Sequence, residues 1–168
     1  PDRPSRFQIE QVTEGSALNE LWPTLGQRYP RATLRSPAWA DWRFFRRPDR
    51  RYRAYVLRDA QSRAAAWFVV TTEGASYYLC DLAVDSDVAL IGQIDDYVVR
   101  DAQRCGARRV ETLLLNDPFV GSALKLMGWR PLPQPQRATW YLSTFTEGLD
   151  SHETVDSLYL THADLDFI

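Results

Sequence analysis

A stretch of apolar and aromatic residues, Ser76–Val84, contains groups that could take part in acid–base chemistry. Asp81 lies within it, and burial among apolar residues can tune a carboxylate to accept a proton near neutral pH. Tyr78, like its neighbour Tyr77, carries a hydroxyl that could donate a proton to a departing group. Asp81 as base and Tyr78 as acid are therefore the candidate catalytic residues.

These residues also have structural interpretations. Asp81 could cap a backbone amide or pair with an arginine, which we favour over catalysis, and aromatic residues in strands usually pack. Because side chains alternate along a strand, we expect Cys80 and Asp81 to point to opposite faces. Neither His152 nor His162 lies close to Cys80 in the sequence, so a Cys–His pair is not indicated.

The elements that position this stretch follow from its neighbours. Its own composition is typical of a strand buried on both faces. A helix should follow, with Ser86 or Asp87 as cap and Gly106 at its end, because apolar residues recur between them every three or four positions: Val88, Ile91, Ile94, Val98 and Ala102. Arg109–Leu115 is the next predicted strand, and two strands joined by a helix must run parallel.

The flanking segments complete an α/β pattern. The spacing predicts a strand from Phe7 to Val12, helices after Gly15 and Ser36, a hairpin of Tyr52–Leu57 with Ala64–Thr71, a helix from Pro118 to Gly128, and strands at Thr139–Phe145 and Leu158–Leu160. Trp39, Trp42 and Trp67 could line a groove, but core packing is the interpretation we prefer for them. The fold class is thus α/β with a mixed sheet.

Composition places further limits on function. The 168 residues make one domain, 1–168, and carry no apolar run long enough to span a bilayer. Two cysteines, Cys80 and Cys105, form no disulfide framework, which favours a reducing cytoplasm. The first residue, Pro1, suggests a processed chain or part of a longer one.

Charge is unevenly distributed along the chain. Arginines outnumber acids between Arg28 and Arg63, but aromatic residues interrupt them and the net charge is −2, so we predict no nucleic-acid partner. The last residues are acidic, and for His162, Asp164 and Asp166 a solvated end is favoured over a metal site.

The order of elements resembles the GNAT N-acyltransferase superfamily. The local similarity lies in Leu82-Ala-Val84, in the helix ending at Gly106, and in Ser122–Trp129. Trp42-Arg43 with Pro48 and Tyr52, and the ending Tyr159–Asp166, are similar to a branch found beside bacterial cell-surface polysaccharide genes. This resemblance implies a mostly antiparallel mixed sheet with a splayed parallel central pair and helices on both faces.

The resemblance also implies an activity, the transfer of an acyl group from acetyl-CoA or another acyl-CoA to a small amine or amino sugar. The donor would lie in the gap between the splayed strands, beside Leu82, Val84 and Asn116. Backbone amides at Val88 and Ala89 would hold its pyrophosphate.

The sequence departs from the family pattern where the phosphates would bind. The segment 85–91 has no glycine and carries Asp85 and Asp87, and Leu124 replaces a frequent tyrosine. The alternative is therefore a degenerate GNAT-fold binding or scaffolding module that lacks acetyl-CoA binding, with a second copy or a second GNAT-like domain as partner.

Overall fold

The structure, a computed structural model, describes residues 6–29, 31–115, 117–131 and 158–161. The predicted strand Thr139–Phe145, the candidate donor-site residue Asn116 and the acidic group of His162, Asp164 and Asp166 lie outside the described residues.

Eight strands and four α-helices are found in the described part of the chain. They are β1 (Gln8–Val12), α1 (Leu18–Leu25), β2 (Arg31–Ala32), α2 (Pro37–Ala40), β3 (Arg53–Arg58), β4 (Ala64–Glu73), β5 (Ser76–Val84), α3 (Val88–Arg104), β6 (Arg109–Thr112), β7 (Leu114–Leu115), α4 (Pro118–Leu126) and β8 (Leu158–Thr161). A 3₁₀ turn, Gly26–Arg28, follows α1, and a π-helical turn, Asp41–Phe45, follows α2.

The main sheet has the strand order β1-β3-β4-β5-β6. Its strands are antiparallel as far as β5, and β6 then runs parallel to β5. Helices cover both faces, since α3 and α4 pack on one core and α1 and α2 on the other. The predicted α/β class with a mixed, mostly antiparallel sheet is confirmed.

The parallel pair separates halfway along β5. Backbone pairing runs from Ser76 with Arg109 to Leu79 with Thr112. The chain then enters β7, which pairs with β8, and β8 also pairs with β2. The stretch predicted as one strand, Arg109–Leu115, is therefore two strands with different partners, and a gap opens beside the second half of β5.

Helix caps explain where the helices begin. Ser36, Asp87 and Asp117 each accept a hydrogen bond from a backbone N–H in the first turn, at 3.1, 2.8 and 2.9 Å. The N–H groups of a first turn have no partner inside the helix, so these side chains stabilise the helix start. After α3, Gly106 adopts a φ of 71°, which glycine tolerates without strain.

A β-bulge in β5 changes the direction of two side chains. Val69 pairs with Asp81 and Val70 with Leu79, so Cys80 is an inserted residue. Cys80 packs in the α1/α2 core, and the side chain of Asp81 bonds Trp67 in that same core. The prediction that Cys80 and Asp81 point to opposite faces is therefore wrong, because an inserted residue breaks the alternation of side chains.

The tryptophans differ from the predicted burial in one case. Trp67 is fully buried and Trp39 is half-buried, but Trp42 is 65% exposed. Trp42 lies in the π-helical turn, which the hydrogen bond from the Arg46 N–H to the Asp41 carbonyl closes at 2.9 Å. This wider turn directs Phe44 into the core and leaves Trp42 outside. No described helix combines the length and apolar character needed to cross a bilayer.

Candidate functional site

The gap beside β5 is the place where the resemblance positions an acyl donor. At its inner end, the Thr112 hydroxyl donates to the Leu79 carbonyl over 2.9 Å, replacing the backbone pairing that stops there. At its outer end, Arg28 reaches across from the turn after α1 and donates to the Val84 carbonyl over 3.1 Å. The backbone carbonyl of a predicted donor-binding residue is thus already occupied by a side chain of the protein.

Arg28 also lies between two carboxylates. Its guanidinium is 3.5 Å from Asp85 and 4.0 Å from Asp117. The neighbouring Tyr29 hydroxyl donates to Asp117, and burial followed by this bond raises the pKa of Tyr29. Asp117 therefore caps α4 and also holds the segment after α1 through its contacts with Arg28 and Tyr29. Sequence reasoning identified only the cap, because long-range partners leave no local pattern.

The first turn of α3 is occupied in a similar way. The Asp87 carboxylate accepts from the Ala89 N–H over 2.8 Å, and the Asp85 carboxylate accepts from the Ser86 N–H over 2.6 Å. Val88 is half exposed and lies in the same turn. The amide of Ala89, predicted to hold a phosphate, instead faces a negative charge from its own helix cap.

A cavity of about 540 Å³ adjoins this helix start. Its charged lining consists of four acids and two arginines: Glu20, Asp59, Asp85, Asp87, Arg6 and Arg63. All four acids have an arginine within 4 Å: Arg63 for Asp59 (2.8 Å), Arg6 for Asp87 (3.8 Å), Arg28 for Asp85 (3.5 Å) and Arg58 for Glu20 (3.7 Å). A pyrophosphate group would have to displace carboxylates from these arginines, so the residues present do not fit the phosphates of coenzyme A.

Asp81 is the centre of a buried polar cluster. Its Oδ1 accepts from the Thr161 hydroxyl over 2.8 Å and lies 3.0 Å from Arg35 Nη2, while its Oδ2 accepts from Trp67 Nε1 over 3.2 Å. Thr161 also accepts from Arg35 over 3.2 Å. The interpretation favoured from sequence, an arginine partner, is what the structure contains, and both carboxylate oxygens are engaged.

The other candidates lie along the same strand but do not form one constellation. Tyr78 is half-buried against the α1/α2 core and is opposite Glu111, where the strands are still paired. Leu82 and Val84 are buried on the α3/α4 side. Burial and the neighbouring Asp81 raise the pKa of the Cys80 thiol to about 12, so Cys80 remains protonated at neutral pH.

Comparisons with other proteins describe the fold only. No family model and no curated protein matches this sequence. A solved structure that resembles it is a mutant of the BH1408 protein from Bacillus halodurans. The two share 17% identical residues, with a TM-score of 0.53, over 82% of this chain and 99% of that chain. This likeness concerns the architecture alone and indicates no activity for this chain.

Proposed function

We propose that this domain is a GNAT-fold binding or scaffolding module that does not take acyl-coenzyme A at the edge of β5. The contact from Arg28 to the Val84 carbonyl carries this proposal, because it fills the position that a donor would need. Arg28 is half-buried, and it would give up its contacts with one carbonyl and two carboxylates if it moved away.

Electrostatics at the helix start support the same conclusion. A helix N-terminus attracts anions through free N–H groups and the positive end of the helix dipole. Asp87 uses both features itself, and Asp85 adds a second negative charge within the same loop. A phosphate would therefore have to compete with two carboxylates that are covalently held at the site.

The experiment is a calorimetric titration with acetyl-coenzyme A, with free coenzyme A alongside. We expect no saturable heat and no thermal stabilisation up to about 1 mM ligand, a concentration at which a micromolar site would be saturated. Arg28→Ala removes the side chain that occupies the Val84 carbonyl. Arg100→Ala, on the exposed surface of α3, is the control for the loss of one positive charge. Micromolar binding by the unmodified protein would refute the proposal.

An N-acyltransferase acting on a small amine or amino sugar is the second candidate. The separation of β5 from β7 beside the start of α3 favours it, since this is where the resemblance places the donor. Appearance of the free coenzyme A thiol, as an amino sugar takes the acetyl group and the thioester C–S bond breaks, would establish it. Loss of that activity in Asp81→Asn, with folding retained, would assign the base.

The proposal also includes a location and a partner for the protein. Both cysteines are free, which agrees with a reducing cytoplasm. A scaffolding role implies a second copy of the chain or a second GNAT-like domain as partner. Light scattering of the purified chain would distinguish a self-associating module from one that needs another domain.

A further inference from the structure

A second cavity, of about 530 Å³, lies at the opposite end of β5 from the predicted donor gap. It is formed where β3 begins, β4 ends and α3 ends. Four arginines and two half-buried aromatic rings contribute to its lining: Arg47, Arg50, Arg51, Arg53, Phe45 and Tyr52. Its volume is within the range of small-molecule sites, roughly 300–1,000 Å³.

Three of these arginines have carboxylate partners. Arg47 lies 2.6 Å from Asp49, Arg50 lies 3.2 Å from Glu73, and Arg53 lies 2.8 Å from Asp101. Asp49 and Glu73 are at least half exposed, and ion pairs with exposed carboxylates contribute little. A dianionic ligand could therefore replace or share these partners.

Arg51 differs from the other three arginines. It is exposed, and within the described part of the chain its guanidinium forms no ion pair or hydrogen bond. Arg50 and Arg51 are adjacent in the sequence and both line the cavity, and Arg53 follows at the start of β3. The cavity thus has positive charge that its own residues do not neutralise.

Tyr52 supplies a second unsatisfied group. Its hydroxyl is buried and has no hydrogen-bond partner among the residues that the structure describes. A buried hydroxyl without a partner is costly, so such groups commonly mark a place where a ligand or water binds. Burial raises the pKa of Tyr52, which keeps the hydroxyl protonated.

We propose that this cavity binds a small phosphate monoester that carries an aromatic ring. The phosphate would lie between Arg50 and Arg51, because guanidinium groups bind phosphate oxygens in pairs. The ring would pack on the aromatic side chains of the lining. This site is independent of whether coenzyme A binds at the other end of β5.

The test is a calorimetric titration of the full chain with phenyl phosphate, with inorganic phosphate and phenol as comparisons. We expect saturable binding of phenyl phosphate, about tenfold tighter than inorganic phosphate, since the ring adds contacts. Phenol should not bind measurably. Raising the salt concentration should weaken phenyl phosphate binding.

Variants locate the site. Arg51→Gln should weaken phenyl phosphate binding about tenfold, because it removes a charged donor to the phosphate. Arg100→Gln removes an equal charge from an exposed part of α3 and should change the affinity less than twofold. Arg51 is exposed, so its variant should fold normally.

Three outcomes would overturn the proposal. The first is no saturation of the unmodified protein by about 20 mM phenyl phosphate, where even a weak millimolar site would fill. The second is an equal loss of affinity in Arg51→Gln and Arg100→Gln, which would mean that net charge alone attracts the anion. Equal affinity for inorganic and phenyl phosphate would refute the role of the aromatic rings.

Discussion

Arg35 and Asp81 form an ion pair inside the protein, with 3.0 Å between Nη2 and Oδ1 and neither side chain exposed. The guanidinium also lies 5.2 Å from the ring centroids of both Trp22 and Trp39. Through Asp81 it contacts β5, and through Thr161 it contacts β8. One charged pair therefore ties the helical layer and the last described strand to the central strand.

The first prediction concerns removal of one charge from this pair. Asp81→Asn leaves the Arg35 cation buried without its counterion, which should destabilise the fold by about 3–5 kcal/mol. Urea denaturation, followed by far-UV circular dichroism, measures the free energy of unfolding. Asp96→Asn, on the exposed face of α3, is the control and should change it by less than about 0.5 kcal/mol. A stable Asp81→Asn variant would show that the pair does not hold the layers together.

Local signals in the sequence predicted much of the fold. Ser36 and Asp117 were predicted as caps, and Ser86 or Asp87 for α3, because a short polar side chain just before a run of periodic apolar residues commonly caps a helix. Ser36, Asp87 and Asp117 each accept the expected backbone hydrogen bond. The helix between β5 and β6 required those strands to be parallel, and they are.

Features that depend on distant partners were not predictable in the same way. The bulge at Cys80 depends on the register of β4 against β5, and a single inserted residue leaves no compositional signal. Arg28 lies 56 residues from Val84 in the sequence, so only the folded chain reveals that it closes the gap. For that reason the prediction of a donor site beside Val84 did not include this contact.

The second prediction compares two tryptophans. Trp67 is fully buried and bonds Asp81, so Trp67→Ala should cost about 3–5 kcal/mol through lost packing and a lost hydrogen bond. Trp42 is 65% exposed, so Trp42→Ala should stay within about 0.5 kcal/mol of the unmodified protein. Thermal unfolding of the two variants side by side provides the measurement. A large loss for Trp42→Ala would mean that this ring is covered in solution.

The third prediction concerns stability at alkaline pH. The Cys80 thiol has an ordinary pKa of 9.0, and burial raises it to about 12 in the folded protein. Because the folded state holds this proton more tightly, its contribution is fully present below pH 9.0 and is lost as the pH rises toward 12. Burial also raises the pKa of Tyr77 and Tyr29, which acts in the same direction.

Denaturation midpoints measured from neutral to alkaline pH would test this dependence. Cys80→Ala should flatten the decline above pH 9.0, the thiol's ordinary pKa, because it removes one of the titrating groups. Cys105→Ala is the matched control, because it removes an exposed thiol instead of a buried one. Identical slopes in all three proteins would contradict the assignment to Cys80.

The last prediction concerns Asp87 as the group that both caps α3 and excludes anions from it. Asp87→Ala frees the Ala89 N–H and should lower stability by about 0.5–2 kcal/mol. Asp87→Asn keeps an accepting oxygen without the charge, so it should retain most of the stability.

If the carboxylate occupies the site that an anion would use, Asp87→Ala should gain weak binding of inorganic pyrophosphate while the unmodified protein shows none. Asp87→Asn should gain less, because its amide oxygen still accepts from Ala89. Equal pyrophosphate binding by all three proteins would show that the helix cap does not control access to the start of α3.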